Sequence, residues 1–287
     1  MEWTRRNVAI TILAVLLGAA LLGAAGAAAY FEIGYGPDEA AVSAVETDDS
    51  VTVERFDGGT VVRSGPVTPA TTGLVYYPGA RVNHESYVPT AAGIVEGRDA
   101  VVVVVDAPLN LAILSPGSAD AAVEAAPAVE SWYVGGHSLG GATACRYAAG
   151  NAAALEGLVL HAAYCDRDLS GTDLRVLSVL GAEDAVIDAE TERQRRDLLP
   201  DDATVVELSG VTHSGFGAYG TQRGEGPPPR SPAAMRADVA RTTGTWLVGG
   251  NVTEPAVGRA AGPGAALQVG ADGLGDGVEA VPLQQLE

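Results

Sequence analysis

The sequence predicts an α/β protein with a mostly parallel central sheet, helices on both faces, an N-terminal hairpin and no cap domain. Three observations predict it. Short apolar runs alternate with helical stretches from Thr72 to Leu247. One run, Val101–Val105, is valine throughout; apolar on both faces, it suits the centre of a parallel sheet covered by helices. Another, Trp132-Tyr133-Val134, leads through a Gly-rich turn into an Ala-rich helical stretch.

The elements follow in order. After Met-Glu-Trp-Thr-Arg-Arg, Val8–Ala29 runs for 22 residues without a charge. At about 1.5 Å per residue that spans a bilayer, so residues 1–29 are read as a transmembrane anchor or uncleaved signal. Arg5 and Arg6 should stay on the cytoplasmic side, which puts the rest of the chain outside, with the lipid bilayer as a partner through the N-terminal segment. A second reading stays open. Thr4–Val8 resembles a twin-arginine export signal and Ala27–Ala29 offers a small-residue cleavage site, which would make the protein secreted. Residues 30–50 are expected to form a stalk, since Gly, Pro and acidic residues there show little periodicity.

The main domain is expected over residues 51–250. Val51–Phe56 and Thr60–Arg63 flank Asp57-Gly58-Gly59, a hairpin signal. Strands are expected at Gly73–Tyr77, Ala100–Val105, Ser131–Gly135, Gly157–His161, Arg175–Leu180 and Thr204–Leu208. Helices are expected at Glu85–Val95, Ala119–Ala125, Gly140–Gly150, Ala189–Leu199 and Pro232–Leu247. Residues 251–287 read as a disordered acidic tail rich in Gly and Ala; it opens on the glycosylation sequon Asn251-Val252-Thr253.

Composition narrows the function. Thirty-six acidic residues face 17 basic ones, all Arg, for a formal charge of −19. Nucleic acid is excluded as a partner, because it needs cationic patches. The acid excess suits a salt-loving source, where concentrated salt screens self-repulsion. Cys145 and Cys165 stand in no metal-type spacing and are read as two free, buried thiols, with a disulfide as the open alternative. No Cys/His cluster suggests a metal.

The strongest chemical signal is Gly136-His137-Ser138-Leu139-Gly140-Gly141. It is a GxSxG string between a strand and a helix. A nucleophile on so tight a turn needs glycines two positions to either side, where a side chain would meet the neighbouring strand and helix. The helix behind it supplies a positive end and free N–H donors. Ser138 is the candidate nucleophile.

Here the chain resembles the α/β-hydrolase superfamily, whose triad runs in the order Ser, acid, His. That order tests the four histidines. His84 precedes the elbow, His137 lies within it, and His161 comes before any candidate acid strand. His213 follows a strand and opens the Gly-rich loop Thr212–Gly217, where a base that swings over the nucleophile belongs. After the strand Val176–Leu180, Gly181-Ala182-Glu183-Asp184 looks like the superfamily's Gly-x-x-Asp turn, and the resemblance selects Asp184 over Glu183 and Asp188 to orient His213. It also implies an oxyanion hole from the backbone N–H groups of Leu139 and Ala80. The loop carrying Ala80 reads Tyr77-Pro78-Gly79-Ala80, with Pro78 where many relatives carry His.

The segments Val75–Gly79, Asp106–Ala112, Gly135–Gly141 and Gly181–Asp184 together resemble the small membrane-anchored fold-5 branch of these hydrolases, related to dienelactone hydrolases and of haloarchaeal type. Many relatives insert a cap near the stretch Ala162–Leu174, which here is too short for one. The site is therefore expected to be open and lidless, shaped by short loops such as Pro108–Gly117, with Asn110 either lining it as a substrate-binding residue or simply holding a turn. The expected function is a cofactor-free esterase-like hydrolase acting on a small ester-like substrate. Alternatives are a thioesterase, lactonase or peptidase with the same triad, or an inactive membrane-tethered binding protein.

Overall fold

The computed structural model describes residues 20, 22–23 and 25–252. Most of the apolar stretch Val8–Ala29 and nearly all of the tail 251–287 lie outside the described residues. Among the described residues no helix is long and apolar enough to cross a membrane.

Eight strands form one sheet: β1 (Thr52–Phe56), β2 (Gly59–Arg63), β3 (Thr72–Tyr77), β4 (Ala100–Val105), β5 (Ser131–His137), β6 (Gly157–His161), β7 (Arg175–Gly181) and β8 (Thr204–Leu208). Their spatial order is β1-β2-β4-β3-β5-β6-β7-β8. β1–β2 and β2–β4 pair antiparallel, and every later pair is parallel. The hairpin closes at Phe56↔Gly59, and Gly59 has φ 145° with Val104 O where a Cβ would sit, so no other residue fits there.

Alternation sorts the side chains onto two covered faces. On β4, Ala100, Val102 and Val104 join one core cluster, and Val101, Val103 and Val105 join the other. On β3, Leu74 and Tyr76 face the first, and Val75 and Tyr77 the second. Helices α2 (Val88–Val95) and α6 (Pro232–Leu247) cover the first face. Helices α3 (Ser118–Glu124) and α4 (Leu139–Asn151) cover the second. An apolar period of two, buried on both sides, is what the valine run encodes. No helix or strand occupies residues 162–174, so no cap domain sits there.

Two expectations need correction. Residues 30–50 are not an irregular stalk. They hold helix α1 (Glu39–Glu46), whose N-cap Asp38 accepts from the Ala40 and Ala41 N–H groups. Val42 is buried and Val45 packs against the core, an apolar pair at i, i+3 masked in the sequence by the acids around it. The cysteines are not free: Cys145 of α4 and Cys165 of the loop after β6 form a disulfide.

His161 ties three elements together in the core. Thr243 Oγ1 donates to Val239 O, so it accepts from His161 Nε2 at 2.8 Å, and Tyr76 OH then donates to Nδ1 at 2.9 Å. Burial lowers the His161 pKa to about 3.

Two predictions follow from these features. The disulfide closes a loop of sequence separation 20, worth about 3 kcal/mol by loop entropy; Cys145→Ser should lower stability by about that amount in urea titrations, and an unchanged midpoint would count against the bridge. The unfolded chain binds a proton at an ordinary histidine pKa of about 6.5, which folded His161 refuses. Its contribution is therefore complete above about pH 6.5 and declines by about 1.4 kcal/mol per pH unit on going down towards the folded value. Stability measured from pH 7 to pH 4 should fall in that direction, and His161→Asn should flatten the fall by about one proton.

Candidate active site

The site begins with a strained serine. Ser138 sits between β5 and α4 at φ 53°, ψ −122°, a conformation a non-glycine residue adopts only where its surroundings enforce it. Its N–H donates to His161 O at 2.9 Å. Two glycines permit the turn. A Cβ on Gly136 would meet Gly140 C at 2.5 Å and Tyr77 O at 2.7 Å. A Cβ on Gly140 would meet Tyr77 O at 2.2 Å and Pro78 O at 2.4 Å. The loop after β3 therefore lies directly on the first turn of α4. That places the loop bearing Ala80 beside the turn bearing Leu139, and neither residue's N–H has a hydrogen-bond partner among the described residues.

Asp184 and His213 meet across the turn after β7 and the loop after β8. His213 Nδ1 donates to Asp184 Oδ2 at 2.7 Å, with side-chain exposures of 1% and 2%. Asp184 Oδ1 accepts from the Val186 and Ile187 N–H groups at 2.8 and 3.0 Å, which fixes the carboxylate against the turn. The rivals do not bond His213: Glu183 is exposed, and Asp188, which also lines the pocket, caps helix α5 (Ala189–Arg195) through Thr191 N. With its proton held on Nδ1 by the carboxylate, neutral His213 presents a bare lone pair at Nε2. That atom is buried and has no hydrogen-bond partner. Ser138 and His213 line the same pocket without a hydrogen bond between them; such contacts commonly tighten only around substrate.

His137 packs against His213. Its ring stacks on Phe216 and lies 4.5 Å from the His213 ring centroid. Gly79 N donates to Tyr87 OH, so the hydroxyl donates in turn to His137 Nδ1 at 2.9 Å. Burial holds the His137 pKa well below its ordinary value, with the neighbouring His213 and His161 adding to the effect. A second charge next to His213 is thus disfavoured. Tyr87 carried no sequence signal for this task. Its hydroxyl reaches His137 only because the short helical turn His84–Tyr87 precedes α2 beside the elbow.

The pocket has a volume of about 450 Å³. Leu139, Ala142, Ala163 and Ile187 give it apolar walls, and Arg146 and Asp166 stand at its edge. Arg146 grips Asp166 through Nε and Nη2, which holds the Asp166 carboxyl below the ordinary carboxylate range. Leu139, Ala142 and Arg146 share one face of α4 at spacings of three and four, so this wall was readable from helical periodicity. Asp166 was not, because it arrives on a loop. The disulfide joins the residues adjacent to this ion pair, Cys145 and Cys165, and so staples the pocket wall to the nucleophile helix. Asn110 does not reach the pocket. Its amide donates to Phe31 O and Glu32 O, and its φ of 53° turns it towards the N-terminal segment. The turn reading of Asn110 stands and the substrate-lining one does not. His84 lies by Asp106, Nδ1 to Oδ1 3.3 Å.

The chain matches a family model described as "Alpha/beta hydrolase family" over residues 73–237. That is more than half of the chain, and it contains Ser138, Asp184 and His213. Among solved structures the chain is similar to a predicted CIB-like hydrolase from Thermoplasma acidophilum, at 13% sequence identity and TM-score 0.47, with 69% of this chain and 97% of that one covered. No curated protein matches it.

The close packing at the elbow is testable without knowing a substrate. Gly140→Ala should destabilise the fold by roughly 1–3 kcal/mol, because its Cβ meets backbone rather than a movable side chain. Gly150→Ala, in the same helix with nothing within 4 Å of its Cβ, should be neutral or stabilising by roughly 0.5–1 kcal/mol. Equal effects in denaturant titrations would refute the close approach.

Proposed function

The chain belongs to the alpha/beta hydrolase family, and from that premise we propose that it is a serine hydrolase cleaving an ester-type bond through an acyl-enzyme intermediate. One observation carries the reading. The Asp184–His213 pair is buried with His213 Nε2 unpartnered, and His213 lines one pocket together with the strained Ser138.

In the proposed reaction His213 Nε2 takes the proton from Ser138 Oγ as the oxygen attacks the substrate carbonyl. Asp184 keeps the imidazole in the required tautomer and stabilises its cation. The oxyanion accepts from the N–H groups of Leu139 and Ala80, with the N-terminal end of α4 adding a favourable field. Collapse breaks the carbon–oxygen bond, and the leaving alcoholate takes the proton from His213. Water then enters, loses a proton to the same nitrogen, and releases the acid and free Ser138. Each step conserves protons and needs no cofactor.

The pocket's apolar walls suit an uncharged acyl chain of modest size. The missing cap leaves the site open to small or exposed esters. We place the domain outside the membrane, on the charge-free stretch Val8–Ala29 and the two arginines before it, and we read the acidic surface as an adaptation to salt.

The experiment is turnover of short p-nitrophenyl esters in molar salt, with labelling by a fluorophosphonate probe. Wild type should turn over and label, and Ser138→Ala should do neither. Asp184→Asn should lose on the order of a thousandfold or more in kcat, because the amide favours the wrong imidazole tautomer. A wild type that neither labels nor turns over esters, thioesters, lactones or peptides would refute the enzyme and favour a binding protein on this fold.

A further inference from the structure

The neck, residues 30–38, follows the charge-free N-terminal stretch and precedes α1. It ends the helical residues 25–32, and a helix leaves its last carbonyls unpaired. Here two side chains from the loops around the candidate site take them. Arg81 donates to Tyr30 O and Ile33 O, both at 3.1 Å, and stacks 3.8 Å over the Tyr30 ring. Asn110 donates to Phe31 O and Glu32 O. Arg81 is the residue after Ala80, and its own N–H donates to Asn110 O at 2.8 Å.

Main-chain bonds extend the contact. Tyr35 N donates to Arg81 O, and Asn83 N donates to Tyr35 O, so Tyr35 forms a one-residue bridge alongside Val82. The other side of the neck holds the chain beyond His213. Asp38 N donates to Ala218 O at 2.7 Å, and Arg223 N donates to Tyr35 OH at 3.0 Å. Three residues in the loops so gripped, Arg81, Leu109 and Asn110, have positive φ, a conformation that persists only under outside constraint.

We propose that the neck is a clasp that holds the oxyanion loop and the base loop in register, so that the junction with the N-terminal segment positions catalytic groups. The inference rests on the reading of Ser138, His213 and Ala80 given above. Tyr35 and Arg81 act as positioning residues. They need touch no substrate; they fix where the Ala80 N–H points and how the His213 loop sits against it. Oxyanion donors act only when aimed within a few tenths of an ångström, and misplacement is felt in the transition state rather than in substrate binding.

Two neighbouring glycines give a matched test in the full-length chain. A Cβ at Gly34 would lie 1.9 Å from Arg81 O and must push the neck off the loop, whereas a Cβ at Gly36 meets nothing within 4 Å. Gly34→Ala should cut kcat and the rate of fluorophosphonate labelling at least tenfold while KM stays within about twofold. Gly36→Ala should match wild type. Asn110→Ala, which removes two caps without adding an atom, should act in the same direction as Gly34→Ala if the latter folds poorly. Hydrogen exchange reads the clasp without any chemistry. In Gly34→Ala and Asn110→Ala, peptides covering residues 78–87 and 213–223 should exchange several-fold faster, and the rest of the sheet should be unchanged. A wild type that does not label would sink the hydrolase reading, while the exchange pattern would still decide the clasp. Exchange and kcat at the wild-type level in both Gly34→Ala and Asn110→Ala would overturn the clasp. So would losses spread over the whole sheet or confined to KM.

Discussion

The site depends on one close approach: the backbone of the loop after β3 rests on the first turn of α4, with no side chain between them. Tyr77 O and Pro78 O occupy the space that a side chain on Gly140 would fill, and Tyr77 O and Gly140 do the same at Gly136. That contact forces Ser138 into its positive φ and brings the free N–H of Leu139 beside the loop that carries Ala80. A strand–turn–helix with any other residue pair at these positions would hold the two segments apart. Ser138 and the N–H groups of Leu139 and Ala80 would then no longer share a corner.

The same corner holds three buried histidines. His161 is fully satisfied by Tyr76 and Thr243 and braces β3, β6 and α6. His137 has one nitrogen satisfied by Tyr87 and Nε2 left without a partner, and burial lowers its pKa. His213 has one nitrogen satisfied by Asp184 and the other left without a partner. A buried nitrogen without a partner costs roughly 1–3 kcal/mol, and of these two histidines only His213 lines the pocket with Ser138. What distinguishes His213 from His137 is its carboxylate partner and its place in the lining of the pocket.

Much of this was legible beforehand for stated reasons. The valine run fixed a two-sided strand, and β4 is buried at every position. The GxSxG string selected Ser138, the Ser, acid, His order selected His213, and the resemblance of Gly181–Asp184 to the Gly-x-x-Asp turn selected Asp184; the structure joins the last two at 2.7 Å. The signals failed where local composition competes with tertiary contact. The acids of residues 38–48 concealed the Val42–Val45 face of α1. For Asn110 the sequence left pocket lining and a loop turn both open, and neither foretold that its amide caps a helix end. The pairing of Cys145 with Cys165 depends on where the loop after β6 runs, which no spacing rule gives. Tyr35 and Arg81 carry no motif; their contacts join segments more than 45 residues apart in sequence.

The central claim is that Ser138, His213 and the two backbone N–H groups converge on one tetrahedral centre. A crystal structure of the protein phosphonylated by an ester-like phosphonate tests it most directly. The account predicts phosphorus bonded to Ser138 Oγ, one phosphonyl oxygen within about 3.1 Å of both Leu139 N and Ala80 N, and His213 Nε2 facing the leaving-group position. An adduct on another residue, or a phosphonyl oxygen turned to solvent with Ala80 N pointing elsewhere, would contradict it.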